Sequence, residues 1–211
     1  MELRALSVAL LALTLADPSG ARADDRKLRF GVLGGASFTN VAIEPETIFG
    51  TSGATSGHGG VLLSLNVSAP VSFEARLLWE PRSVELSDVS SAGQARVDYV
   101  GIPLLIRIAP GRARVRPVFL SGPELLIKTG ARLMATVDGV PIEDEGFEDQ
   151  VRATDVALDV GAGAEIAVGR ASLILEALYS HGLRNVAVPQ SGGNVDVART
   201  RAFRLSGCIR F

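Results

Sequence analysis

The chain of 211 residues has one cysteine, two histidines and one tryptophan, and only 5% of it is aromatic. A lone thiol, Cys208, excludes an internal disulfide. Two histidines, His58 and His181, stand at the loop-side ends of alternating runs, where polar rim residues are expected, and make a poor metal site without a third ligand. A formal net charge of −2 gives no electrostatic footprint for nucleic acid. Beyond residue 23, no apolar run approaches the roughly 20 residues that a membrane-spanning helix needs. Mean hydropathy is nevertheless +0.29. The apolar character must therefore be spread over short pieces.

The first residues read as an export signal. Arg4 is followed by an apolar run over residues 5–16, broken by Asp17, Pro18, Ser19 and Gly20. Ala21-Arg22-Ala23 has the small-x-small form of a cleavage site. We expect residues 1–23 to be a cleaved signal peptide and 24–211 to form one domain. No cysteine lies near the cleavage site, which argues against a lipoprotein.

Eight runs of the remaining chain alternate apolar and polar residues: 28–39, 58–68, 71–86, 95–108, 114–126 or beyond, 154–168, 171–183 and 202–211. The third sets Val71, Phe73, Ala75, Leu77 and Trp79 against Ser72, Glu74, Arg76, Leu78, Glu80 and Arg82. The last sets Phe203, Leu205, Gly207, Ile209 and Phe211 against Ala202, Arg204, Ser206, Cys208 and Arg210. A period of two is the signature of a strand with unlike faces. In the fifth run Pro117 and Pro123 blur the phase. Each run is about 10–15 residues, and a tilted spanning strand needs roughly 9–11.

Short and long connections alternate. Ser68-Ala69-Pro70, Ala109-Pro110-Gly111-Arg112 and Gly169-Arg170 are tight turns, whereas residues 40–57, 87–94, 130–152 and 184–198 are longer. An up-and-down barrel with both termini at the periplasmic end has this rhythm. The polar face carries both signs of charge, at Glu74, Arg76, Glu80, Arg82, Arg107, Asp159, Glu165, Glu176, Arg204 and Arg210. Crowded in a narrow lumen such charges pair; on a wet surface they would gain little. Phe38, Trp79, Tyr179 and Phe211 lie near run ends, where interfacial aromatics belong. The expected fold is all-β: an eight-stranded antiparallel up-and-down transmembrane β-barrel in the bacterial outer membrane, greasy face outward.

Four phrases occur in order: Tyr99-Val100-Gly101-Ile102-Pro103-Leu104-Leu105, Arg116-Pro117-Val118-Phe119-Leu120-Ser121-Gly122-Pro123, Asp159-Val160-Gly161-Ala162-Gly163-Ala164-Glu165, and a run from Leu175 through Glu176, Tyr179, His181 and Gly182 to Asn185. In this order and spacing the chain resembles the PorT-like outer-membrane β-barrel domain family over nearly all of residues 24–211. Gly101 stands where that family often has an acidic residue, and Cys208 is atypical of it. The resemblance implies an eight-stranded barrel and, from the secretion-associated member that names the family, an accessory role in secretion or envelope assembly. It also implies that the terminal strand, through Phe203, Leu205, Ile209 and Phe211, is what the barrel assembly machinery recognises. Outer-membrane lipid and an envelope or secretion protein are the other expected partners.

Catalytic, cofactor and metal sites are not expected. A lipid-modifying hydrolase would need serine, histidine and carboxylate together, but His181 points away from the face shared by Ser180 and Glu176. The acids Glu143, Asp144, Glu145, Glu148 and Asp149 lack the spacing of a calcium loop. Gly161-Ala162-Gly163 has no following helix and is no nucleotide fingerprint; we expect its glycines to make room for facing arginines. Arg112, Arg114 and Arg116 are expected to anchor a periplasmic turn. The ten lumen charges are the main constellation, with Glu74 and Glu176 expected to find Arg76, Arg204 or Arg210 in a plugged core. A structural or interaction role therefore comes first. A surface-binding or adhesion barrel, a lipid A-modifying enzyme and a narrow diffusion channel follow.

Overall fold

Two glycines set the tight turns at one end of the molecule. Gly111 and Gly169 have φ of 89° and 61°, a region that favours a residue without Cβ. In the computed structural model, residues 27–44, 50–87, 91–111, 113–137, 140–144, 152–184 and 197–211 are described. The expected signal peptide and most of the long connections lie outside them.

Among the described residues nine strands follow in chain order: β1 (Leu28–Glu44), β2 (Gly50–Asn66), β3 (Val71–Ser87), β4 (Ser91–Ile108), β5 (Val115–Val137), β6 (Val140–Asp144), β7 (Thr154–Val168), β8 (Ala171–Gly182) and β9 (Val197–Arg210). All pairings are antiparallel, in the order β4-β3-β2-β1-β9-β8-β7-β5, and a β4–β5 pairing closes the ring. Eight strands therefore form a closed barrel, and closure leaves no edge to satisfy in lipid. β6 stands apart from the ring, pairing with the far end of β5 from Val137↔Val140 to Leu133↔Asp144.

The sequence reading placed 130–152 in a loop. The structure instead continues β5 to Val137 and folds β6 back on it. The two residues between these strands are Asp138-Gly139, a pair suited to a two-residue hairpin, and β-branched residues flank it. The hairpins β1–β2 and β3–β4 likewise run past the sequence-based bounds, starting again at Gly50 and Ser91.

Alternation decides which way each side chain points. Phe30, Phe73, Leu77, Leu104, Val160 and Leu175 are half exposed or more on the outside. Continuous apolar surface of this kind is what a soluble protein avoids. Phe203, Leu205 and Ile209 share that outer face. Phe203 is the register partner of both Phe38 and Tyr179, so three aromatics band three adjacent strands, with Phe38 and Phe203 ring centroids 6.4 Å apart.

Candidate functional site

Strand parity sends the charges inward, and closure brings opposite walls within side-chain reach. All ten ionic residues singled out in the sequence are buried. Arg29, Glu124 and Asp155 are buried with them. Arg29 and Asp155 sit on the polar parity of their runs and were open to the same argument. Glu124 was hidden, because on β5 the inward residues Val118, Leu120 and Leu126 are apolar while Pro117, Ser121 and Pro123 face out.

Arg204 is the hub of the loop-side tier. From β9 it crosses to Glu80 on β3 (Nη1–Oε2, 2.6 Å) and Glu124 on β5 (Nη1–Oε1, 2.7 Å). Its Nη2 also donates to Asp159 on β7 at 2.7 Å. Arg82 donates through Nε to Glu80 at 3.1 Å and through Nη1 to Thr200 at 2.9 Å, and lies 5.7 Å over the Tyr99 ring. Thr200 passes the chain on to Asp155 at 3.0 Å, and Ser180 donates to Glu124 at 2.9 Å. In the middle tier Arg76 binds Glu74 on its own strand and Glu176 on β8. Near the tight turns, Glu165 accepts from Arg107, Arg116 and Arg210 and lies 3.9 Å from Arg29.

Among the described residues, seven arginines and seven carboxylates thus balance, but unevenly along the axis. Four arginines meet one acid at the turn end, one meets two in the middle, and two stand with four toward the loops. Apolar groups fill the gaps. Leu33, Leu62, Leu78, Ile174 and Cys208 form one cluster, and Leu105, Ala109, Val118, Leu120 and Leu178 another. The core is therefore ionic and apolar by turns.

Other expected residues fall elsewhere. His58 is not at the rim: it is buried in the lumen, with Nε2 2.9 Å from Ser206 Oγ. Its Nδ1 has no partner among the described residues, so the carboxylate that would orient a catalytic imidazole is missing there. His181 faces outward, its ring stacked 6.3 Å from Tyr179, and does not meet His58. Gly161 and Gly163 do not make room for arginines. A Cβ on either would strike β8, at the Ala177 or Leu175 carbonyl oxygen. Gly101 does make room for an ionic group, since a Cβ there would lie 2.9 Å from Glu124 Oε1. Of the turn arginines, Arg114 is exposed and Arg116 turns in to Glu165 at 3.0 Å; Arg112 lies outside the described residues. Of the acidic loop, Glu145, Glu148 and Asp149 also lie outside them.

A closed eight-stranded sheet with an apolar outer surface and an ionic interior defines a transmembrane β-barrel. The chain belongs to the outer membrane protein beta-barrel domain family, whose model matches residues 16–188, and this places it in the bacterial outer membrane. Among solved structures it is similar in fold to OprG from Pseudomonas aeruginosa, with 9% identity, 90% of this chain and 99% of that chain covered, and a TM-score of 0.52. It also matches Neisserial surface protein A (14% identity, 86% and 95% covered, TM-score 0.46) and Ail of Yersinia pestis (11%, 88% and 100%, 0.43). No curated protein matches the sequence.

Proposed function

We propose that this is a non-catalytic barrel of the PorT-like kind, with a structural or interaction role accessory to secretion or envelope assembly. The supporting observation is the way Arg204 joins β9 to β3, β5 and β7. In the middle and loop-side tiers the acids are spent on Arg76, Arg82 and Arg204, and a lumen closed there offers little to a passing solute or a substrate. Work must then be done at the rims and the outer face. Outer-membrane lipid covers that face, and an envelope or secretion protein docks at a rim. The terminal strand is handed to the assembly machinery by Phe203, Leu205, Ile209 and Phe211.

Planar-bilayer recordings of the purified barrel test the central point. No conductance is expected, and stable single-channel steps would overturn it. Lipid A mass spectra from cells with and without the protein should coincide; a changed spectrum would restore the enzyme reading. Phe211→Ser should slow insertion in cells while leaving the detergent-refolded barrel as stable as before.

A further inference from the structure

Among the described residues, the turn end of the lumen holds more positive charge than its acids neutralise. Arg29, Arg107 and Arg210 enter it from β1, β4 and β9 and are 2%, 3% and 1% exposed. The carboxylate they share, Glu165, is already divided. Arg107 and Arg116 take its Oε2, Arg210 takes Oε1 at 2.6 Å, and Arg29 comes no nearer than 3.9 Å. Nε and Nη2 of Arg29, Nε of Arg107, and Nε and Nη1 of Arg210 have no hydrogen-bond partner among the described residues. These three arginines line a pocket of about 280 Å³, together with Lys27, Arg116 and the β2–β3 turn.

Buried donors without acceptors are unfavourable, and guanidinium donors most of all. Their arrangement says what would satisfy them. A carboxylate presents two oxygens in one plane, whereas these guanidiniums converge from three separate strands. A tetrahedral oxyanion offers oxygens in three directions and carries the larger charge. We propose that the turn end of the barrel is a phosphate-binding site built by Arg29, Arg107 and Arg210, with Lys27 at its mouth. In outer-membrane barrels the short turns face the periplasm. The phosphate there is either a free ion or the headgroup of an inner-leaflet phospholipid.

The test uses the full folded chain in a neutral detergent. Calorimetric titration with inorganic phosphate should show one saturable site, unmoved by chloride at matched ionic strength. Binding should weaken about tenfold or more in Arg29→Gln and in Lys27→Gln. Lys27 is exposed, so its variant keeps the fold if the buried one does not. In a second arm, native mass spectrometry compares micelles doped with phosphatidylglycerol or with diacylglycerol, which lacks phosphate. Saturable phosphate binding without lipid retention assigns the site to the free ion. Retention of phosphatidylglycerol alone, lost in the two variants, assigns it to a headgroup. Neither kind of binding, or binding that both variants leave unchanged, overturns the proposal.

Discussion

Arg76 on β3 and Glu176 on β8 stand on opposite walls of the barrel and are joined through its interior, with Nη2 donating to Oε2 at 2.9 Å. The same guanidinium is held by Glu74, two residues earlier on its own strand, at 2.5 Å. One cation thus serves two buried acids, and the roles are not interchangeable.

That asymmetry gives the first prediction. Arg76→Met leaves two carboxylates uncompensated and should destabilise by about 3–5 kcal/mol. Glu176→Gln keeps the Arg76–Glu74 pair and should cost less, about 1–3 kcal/mol. Urea dependence of the heat-modified gel shift measures both. Equal midpoints for Arg76→Met and wild type would show that the clamp contributes nothing.

Gly101 supplies the second. Gly101→Ala presses a methyl group on Glu124 and should cost about 1–3 kcal/mol. Gly101→Asp sets a second buried carboxylate beside the first and should cost more, about 3–5 kcal/mol. Adding Glu124→Gln to Gly101→Asp should recover much of the loss. If the double variant is no better than Gly101→Asp alone, like-charge crowding is not the cause.

The outer face supplies the third. Leu175 points outward from the middle of β8, and Phe30 lies near the turn end of β1. In a bilayer, Leu175→Arg should cost about 2–4 kcal/mol and Phe30→Arg about 0–1. Unfolding titrations in liposomes would show this gradient, and equal costs at both sites would contradict the assigned depth.

Cys208 gives a fourth, independent check. It lies inside the barrel among Leu33, Leu62, Leu78 and Ile174 and is 1% exposed. The folded barrel should resist a thiol reagent that labels the urea-unfolded chain within minutes. Rapid labelling of the folded protein would mean that this part of the lumen is open.

Much of the fold is legible in the sequence because a strand's period is two. Once Glu74, Arg76, Glu80 and Arg82 share one parity and Phe73, Leu77 and Trp79 the other, the face of every residue on β3 follows. Where the residue types do not alternate, parity gives no signal. On β5 the interior is reached by Val118, Leu120 and Leu126, so Glu124 among them went unnoticed although it binds the hub arginine. His58 misled for another reason. It stands at the start of an alternating run and so reads as a rim residue, whereas β2 begins eight residues earlier, at Gly50, and carries it into the barrel.

By itself, then, the order of residues determined which side chains share a face on the regularly alternating strands, and the eight strands of the ring, but neither β6 nor the interior of β5. It could not determine which inward charges meet. Those partners lie on strands far apart in the chain, and only closure of the ring, with its fixed stagger, brings Arg204 to Glu80 and Glu124 and gathers four arginines around Glu165. The physical reason is range: alternation acts between neighbouring residues, while an ion pair across the lumen exists only after the walls are in place.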